Sequence, residues 1–156
     1  WTLHIDGSSN SKGGGAGIIL EGPNKVTVEQ SLKFGFKVTN NQAEYEVLLA
    51  GLRLDHDLGA RRINCNSDSK LMVEQLCGAY QTKDTLLQRY FHVTSQKISS
   101  FDKFTIHHMP DEQNARADLL SKLASTKRPG QHRTIIQETT NSPSLDDKVV
   151  NTSDST

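Results

Sequence analysis

The stretch AEYEVLLAGLRLDHDLGARRINCNSD, residues 43–68, changes its hydrophobic period partway along. Ala43, Val47, Ala50, Leu54 and Leu58 recur at helical spacing, and Gly59 is placed to stop the helix. Ile63 and Cys65 then alternate with Arg62, Asn64 and Asn66, which is the period of a strand. A helix running straight into a strand is half of a crossover that lays two parallel strands side by side. The other half lies upstream, where Trp1, Leu3 and Ile5 alternate with Thr2, His4 and Asp6.

From these two strands the rest of the order follows. Gly7-Ser8-Ser9-Asn10 reads as a turn, and Lys12-Gly13-Gly14-Gly15 as a hairpin tip before Ala16-Gly17-Ile18-Ile19-Leu20. Gly22-Pro23-Asn24 marks another turn, and Val26, Val28 and Leu32 open a third strand that ends near Phe34-Gly35-Phe36. Beyond the crossover, Ser67-Asp68-Ser69 opens a short helix through Leu76, and residues 84–98 form a second. Residues 104–107 make a fifth strand, Pro110 breaks it, and Asn114 to Ala124 form a last amphipathic helix. The expectation is an α/β fold: a five-stranded mixed sheet in the order βββαβααβα, flanked by helices.

The chain has 156 residues, of which 34% are hydrophobic, with 11 glycines. The apolar share is thus roughly 41%, below the usual range of about 45–50%, so some stretch is core-poor. That stretch is 128–156, rich in Thr, Ser, Asn, Asp and Gln and opened by Arg128-Pro129-Gly130. Residues 1–127 are therefore read as the domain, and 128–156 as a disordered polar tail or interdomain linker. Apolar runs such as Val47 to Leu52 are far short of the ~18 residues that suggest a membrane span. The chain opens on Trp1 rather than Met and reads as a piece of a longer polypeptide in an intracellular setting.

Lys and Arg number 18, as do Asp and Glu. Residues 1–127 hold 15 bases and 14 acids, which gives no long-range attraction for polyphosphate. A nucleic-acid role must then rest on a local site, a bound metal or a tethered neighbour. Cys65 and Cys77 are too far apart for a CxxC site, and His107-His108 lacks the helical HExxH frame of a zinc enzyme.

Four acids stand out, each with an ordinary explanation. Asp6 precedes Gly7, a common turn pair. Glu44 follows Asn41 by three, the spacing of a capping box. Asp68 sits where a helix N-cap belongs. Asp118 lies in the first turn of the last helix, where a negative charge gains about 0.3–1 kcal/mol. Topology favours a joint role. Asp6 and Asp68 end parallel neighbouring strands, and the helix between them carries Glu44 toward the same edge, where ligands of open α/β sheets bind. Acids gathered there without bases repel each other and call for hard divalent cations, Mg²⁺ or Mn²⁺. Two such ions about 3.5–4 Å apart are the apparatus of phosphodiester hydrolysis.

Ile5-Asp6-Gly7-Ser8, Thr39-Asn40-Asn41-Gln42-Ala43-Glu44, Ser67-Asp68-Ser69, and His108-Met109-Pro110 through Asn114-Ala115-Arg116-Ala117-Asp118 resemble, in order, the signature blocks of ribonuclease H. The last block, with Leu119 to Ser125, looks most like the RNase H domain of plant gypsy-type long-terminal-repeat retrotransposon polyproteins, and archaeal-type RNase H is similar too. The resemblance implies that Asp6, Glu44, Asp68 and Asp118 hold two Mg²⁺ ions and that the RNA strand of an RNA–DNA hybrid is cleaved. It implies that His108 is the family's mobile histidine, assisting proton transfer or product release. It also implies substrate contacts from Gly7, Ser8, Ser9, Thr39, Asn40 and Asn41.

Where bacterial relatives carry a basic, Trp-containing protrusion, residues 77–84 offer only Lys83. This departure fits a monomeric domain tethered to a reverse transcriptase and an integrase in a polyprotein, in a cytoplasmic virus-like particle or the nucleus. The rival expectation is a catalytically silent RNase H-like module that binds nucleic acid or a partner protein.

Overall fold

The computed structural model describes residues 1–10, 13–109 and 133–145. Six strands form one sheet: β1 (Thr2–Asn10), β2 (Gly13–Glu21), β3 (Thr27–Phe34), β4 (Arg62–Ser67), β5 (Lys103–His108) and β6 (Arg133–Thr140). Their order is β5-β4-β1-β2-β3-β6. β1, β2 and β3 pair antiparallel, while β1–β4, β4–β5 and β3–β6 are parallel. Among the described residues, three α-helices accompany them: α1 (Asn40–Asp57), α2 (Lys70–Leu76) and α3 (Thr85–Ile98). The mixed α/β sheet and the central crossover are as the sequence implies. Among the described residues, no helix is long and apolar enough to cross a membrane.

Three features differ from the sequence reading. The sheet has six strands rather than five, because residues 133–140, taken for tail, pair with β3 along eight positions. An edge strand needs backbone partners more than an apolar face, so hydropathy gives it little signal. Second, Gly7 to Asn10 is not a turn: β1 runs through it opposite the glycines of β2, with Ser9 facing Gly14 and Asn10 facing Gly13. Gly13 and Gly14 take φ of 134° and 145°, conformations open to glycine that let the ribbon continue. Third, α1 buries more than the periodic residues that the sequence picks out. Tyr45, Leu48, Leu49 and Leu52 are buried as well as Ala43, Val47 and Ala50, while Leu58 is 43% exposed. The helix sits centrally, against β1, β2, α2 and α3.

The core beneath α1 joins Leu3, Ile5, Ile18, Leu20, Val28 and Leu32 of the sheet to Val47, Leu48 and Leu52. Ile63, Cys65, Met72, Leu87 and Tyr90 extend it toward α2 and α3. The expected last helix, Asn114 to Ala124, lies outside the described residues.

Candidate metal centre

The parallel pairing of β1 with β4 ends at Ile5 opposite Ser67, so Asp6 and Asp68 are the next residues along the two chains. They meet at the carboxyl edge of the sheet. α1 crosses that edge closely because position 7 has no side chain. A Cβ on Gly7 would lie 2.8 Å from the Ala43 carbonyl oxygen and 3.3 Å from the Glu44 nitrogen. That approach carries Glu44 over the strand. One carboxylate oxygen from each of Asp6, Glu44 and Asp68 falls within 4.8 Å of the others.

The ordinary explanations for two of these acids are removed by the caps. Thr39 caps α1, its Oγ1 accepting from the Gln42 amide at 3.1 Å. Ser69 caps α2, its Oγ accepting from the Met72 amide at 3.2 Å. Neither Glu44 nor Asp68 is therefore consumed by helix capping. The sequence spacing points to Asn41 and Asp68 as caps, whereas the backbone geometry gives that role to Thr39 and Ser69. Ser67, which sequence reasoning passed over, braces the second junction by accepting from the Ser69 amide at 3.1 Å.

Asp6 and Glu44 are each 8% exposed. Glu44 Oε1 and Asp68 Oδ1 are buried without a hydrogen-bond partner among the described residues. Burial first, then the charge of Asp68, a hydrogen bond shared with the Asp68 carboxylate and the charge of Asp6, push the Glu44 carboxyl up to about 9, against a hydrogen bond from the Gly7 backbone. Two ionised carboxylates at about 5 Å repel by roughly 3 kcal/mol at an effective dielectric constant of about 20. A helix cap contributes about 1 kcal/mol, so the cluster is not explained as local stabilisation. The donor set fits a hard divalent cation. It is all carboxylate oxygen, it leaves buried oxygens unsatisfied, and its repulsion vanishes when a cation is held.

His108 ends β5 opposite Ser67, and the Met109 amide donates to the Ser67 carbonyl at 2.8 Å. It thus lies one strand across from Asp68, half-buried, with the parity of Phe104 and Ile106, while His107 is exposed. Asp118 lies outside the described residues.

The remaining candidates form one rim. Asn40 Oδ1 accepts from both the amide and the hydroxyl of Ser9, at 2.9 and 2.7 Å. This ties the extended ribbon to the start of α1 and sets Ser8, Ser9, Thr39, Asn40 and Asn41 beside Gly7. On the face shared with Asp6, His4 Nε2 meets Glu21 Oε1 at 3.1 Å, and Asn66 lies 3.5 Å from His4 Nδ1.

This strand order, with three acids at the carboxyl edge of the β1–β4 pair, defines an RNase H-like domain. Residues 4–124 match the family model described as "Reverse transcriptase-like", and the chain belongs to that family. Over 124 residues it is 35% identical to the ribonuclease HI of Halobacterium salinarum, which covers 78% of this chain and 62% of that protein. Over 122 residues it is 30% identical to a bifunctional protein of Mycobacterium tuberculosis, covering 76% of this chain and 34% of that one. The chain therefore spans less than two thirds of either relative's length. The crystal structure of RNase H1 from the halophilic archaeon Halobacterium salinarum superimposes with a TM-score of 0.68 at 34% identity, over 75% of this chain and 90% of that one. LC11-RNase H1, solved in complex with RNA/DNA hybrid, superimposes with a TM-score of 0.65 at 26% identity, over 76% and 91%.

Proposed function

We propose that this chain is a divalent-metal-dependent endonuclease that hydrolyses the RNA strand of RNA–DNA hybrids. The observation that carries the reading is the convergence of Asp6, Glu44 and Asp68 from three distant parts of the chain. These three would hold Mg²⁺ or Mn²⁺, and Asp118 would complete the set. Bound ions of this kind activate a water nucleophile and stabilise charge on the leaving oxygen.

The chain's own residues would do the rest. Asn40 has committed its carbonyl oxygen to Ser9, which leaves its amide nitrogen to donate to a base edge in the hybrid's minor groove. The Thr39 hydroxyl, accepting from Gln42, keeps its hydrogen for a DNA-strand phosphate. Gly7, Ser8 and Ser9, with Asn41 alongside, would contact the RNA 2′-hydroxyls that distinguish it from DNA. His108 would carry a proton on its imidazole near the cleaved bond.

Residues 1–127 would carry the catalytic groups, with the strand and strap at 133–145 packed onto the same unit. A near-neutral surface fits a module whose hybrid affinity comes from a neighbour, such as reverse transcriptase in a gypsy-type retrotransposon polyprotein. Incubation with labelled RNA–DNA hybrid, duplex RNA and duplex DNA, in Mg²⁺ and in EDTA, tests the reading. Mg²⁺-dependent cleavage of the hybrid's RNA strand alone is expected. Binding of hybrid without cleavage would instead establish the silent module.

A further inference from the structure

Around α1 lies a second set of buried polar groups that the proposed chemistry does not use. Glu46 is 2% exposed, and its carboxylate accepts three hydrogen bonds from neutral donors. Tyr90 Oη donates to Oε2 at 2.6 Å, the Ser144 amide to Oε2 at 2.8 Å, and the Ser144 hydroxyl to Oε1 at 2.8 Å. Gln42 donates to the same Tyr90 oxygen at 3.0 Å. On the next flank Tyr45 donates to Gln75 of α2 at 2.9 Å, and the Tyr45 and Tyr90 rings stack with centroids 5.6 Å apart.

Ser144 reaches this place at the end of a strap. β6 pairs with β3, Gln30 donates to Glu138 at 2.7 Å, and the Gly35 amide donates to the Thr140 carbonyl at 2.7 Å. Leu145 then enters the core, 5% exposed. A segment beyond the family match of 4–124 thus ends on α1, two residues from Glu44.

We propose that Ser144, acting through Glu46, is a positioning residue for the acidic cluster, and that the strap 133–145 holds α1 in the rotation that keeps Glu44 over Asp6 and Asp68. The proposal rests on the metal-site reading above. Residues two apart on a helix differ by about 200° in direction, so Glu44 and Glu46 leave α1 on nearly opposite sides. The position of Glu44 over Asp6 and Asp68 depends on the rotation of α1 about its own axis. Turning α1 so as to withdraw Glu44 would also pull Glu46, on the opposite side, away from its three donors. Hydrogen bonds to a carboxylate are the stronger class, and a buried carboxylate stripped of them is costly. The strap braces the cluster in the geometry that a cation needs.

The test is Mg²⁺ binding to the full 156-residue chain by titration calorimetry at fixed pH, with melting temperature and hybrid cleavage measured alongside. Ser144→Ala and Tyr90→Phe should each raise the Mg²⁺ dissociation constant by about three- to tenfold, approaching the loss seen when groups that orient metal ligands are removed. Cleavage should fall at limiting Mg²⁺ and recover at saturation. Ser144→Thr, which keeps the hydroxyl, should restore affinity. Arg61→Ala, which breaks an exposed ion pair with Asp102, should not change it. If Ser144→Ala and Tyr90→Phe lower the melting temperature but leave Mg²⁺ affinity intact, the strap only stabilises the fold and the proposal is overturned. If the unaltered chain binds no Mg²⁺, the metal reading falls and the positioning role falls with it.

Discussion

At its first turns α1 sets Glu44 beside Asp6 and Asp68, whereas three turns later it buries Asp55, which feels the positive charge of the N-terminal ammonium. Both acids are removed from water, and burial raises both: Glu44 to about 9 and Asp55 to about 7. Both Asp55 oxygens lack a hydrogen-bond partner among the described residues, much as Glu44 Oε1 does. Yet of the two, it is Glu44 that belongs to a group of three carboxylates within ligand distance among the described residues. Burial by itself therefore does not mark a site. Convergence of like charges does, since a solitary buried acid can relieve itself by keeping a proton, while three together are relieved by a shared cation.

The sharpest way to break this comparison is to remove one converging acid. Asp6→Asn or Asp68→Asn should lower Mg²⁺-dependent hybrid cleavage by about a thousandfold or more, several kcal/mol of lost charge stabilisation. The melting temperature in EDTA should hold or rise, because repulsion is relieved. Near-normal turnover in either variant would remove the mechanism. Gly7→Ala comes next, since its Cβ would strike the Ala43 backbone, which cannot swing aside. We expect a loss of about 1–3 kcal/mol in stability and a fall in cleavage that added Mg²⁺ does not repair.

The pH dependence separates the two ends of the helix. A carboxyl whose folded value is raised keeps its proton in the native state while the unfolded chain has released it, so stability falls as pH rises. For metal-free protein the Glu44 contribution falls between about 4.5 and about 9, and that of Asp55 between 3.8 and about 7. Mg²⁺ should cancel the first slope and not the second, since ligand protons must leave for the ion to bind. Denaturant unfolding at pH 5, 6, 7 and 8, with and without Mg²⁺, checks this. Smallest of all, Asp55→Leu should stabilise the chain by about 1–3 kcal/mol at pH 8 and leave cleavage unchanged. Lost activity in Asp55→Leu would show that the two ends are not independent.

Much of the site was legible in the sequence, for an identifiable reason. The period change between Leu58 and Ile63 dictates a crossover, and a crossover places the end of β4 beside β1. The positions of Asp6 and Asp68 follow from topology alone. What hydropathy could not show depends on backbone contacts. Gly7 looked like half of a turn pair, but its role is to let α1 pass within contact of β1. Asn41 had the spacing of a cap for α1, but Thr39 caps the helix and Asn40 binds Ser9. β6 was hidden because it is recruited by the edge of β3, and Ser144 because a lone serine in a polar stretch carries no pattern.

Thermal unfolding at pH 8 with increasing Mg²⁺ tests the central claim most directly, comparing the unaltered chain, Asp55→Leu and a double variant carrying Asp6→Asn and Asp68→Asn. A cation that binds only the folded cluster must raise the melting temperature with concentration. The account predicts that rise in the unaltered chain and in Asp55→Leu, and none in the double variant. An equal rise in all three, or none in the unaltered chain, would contradict it.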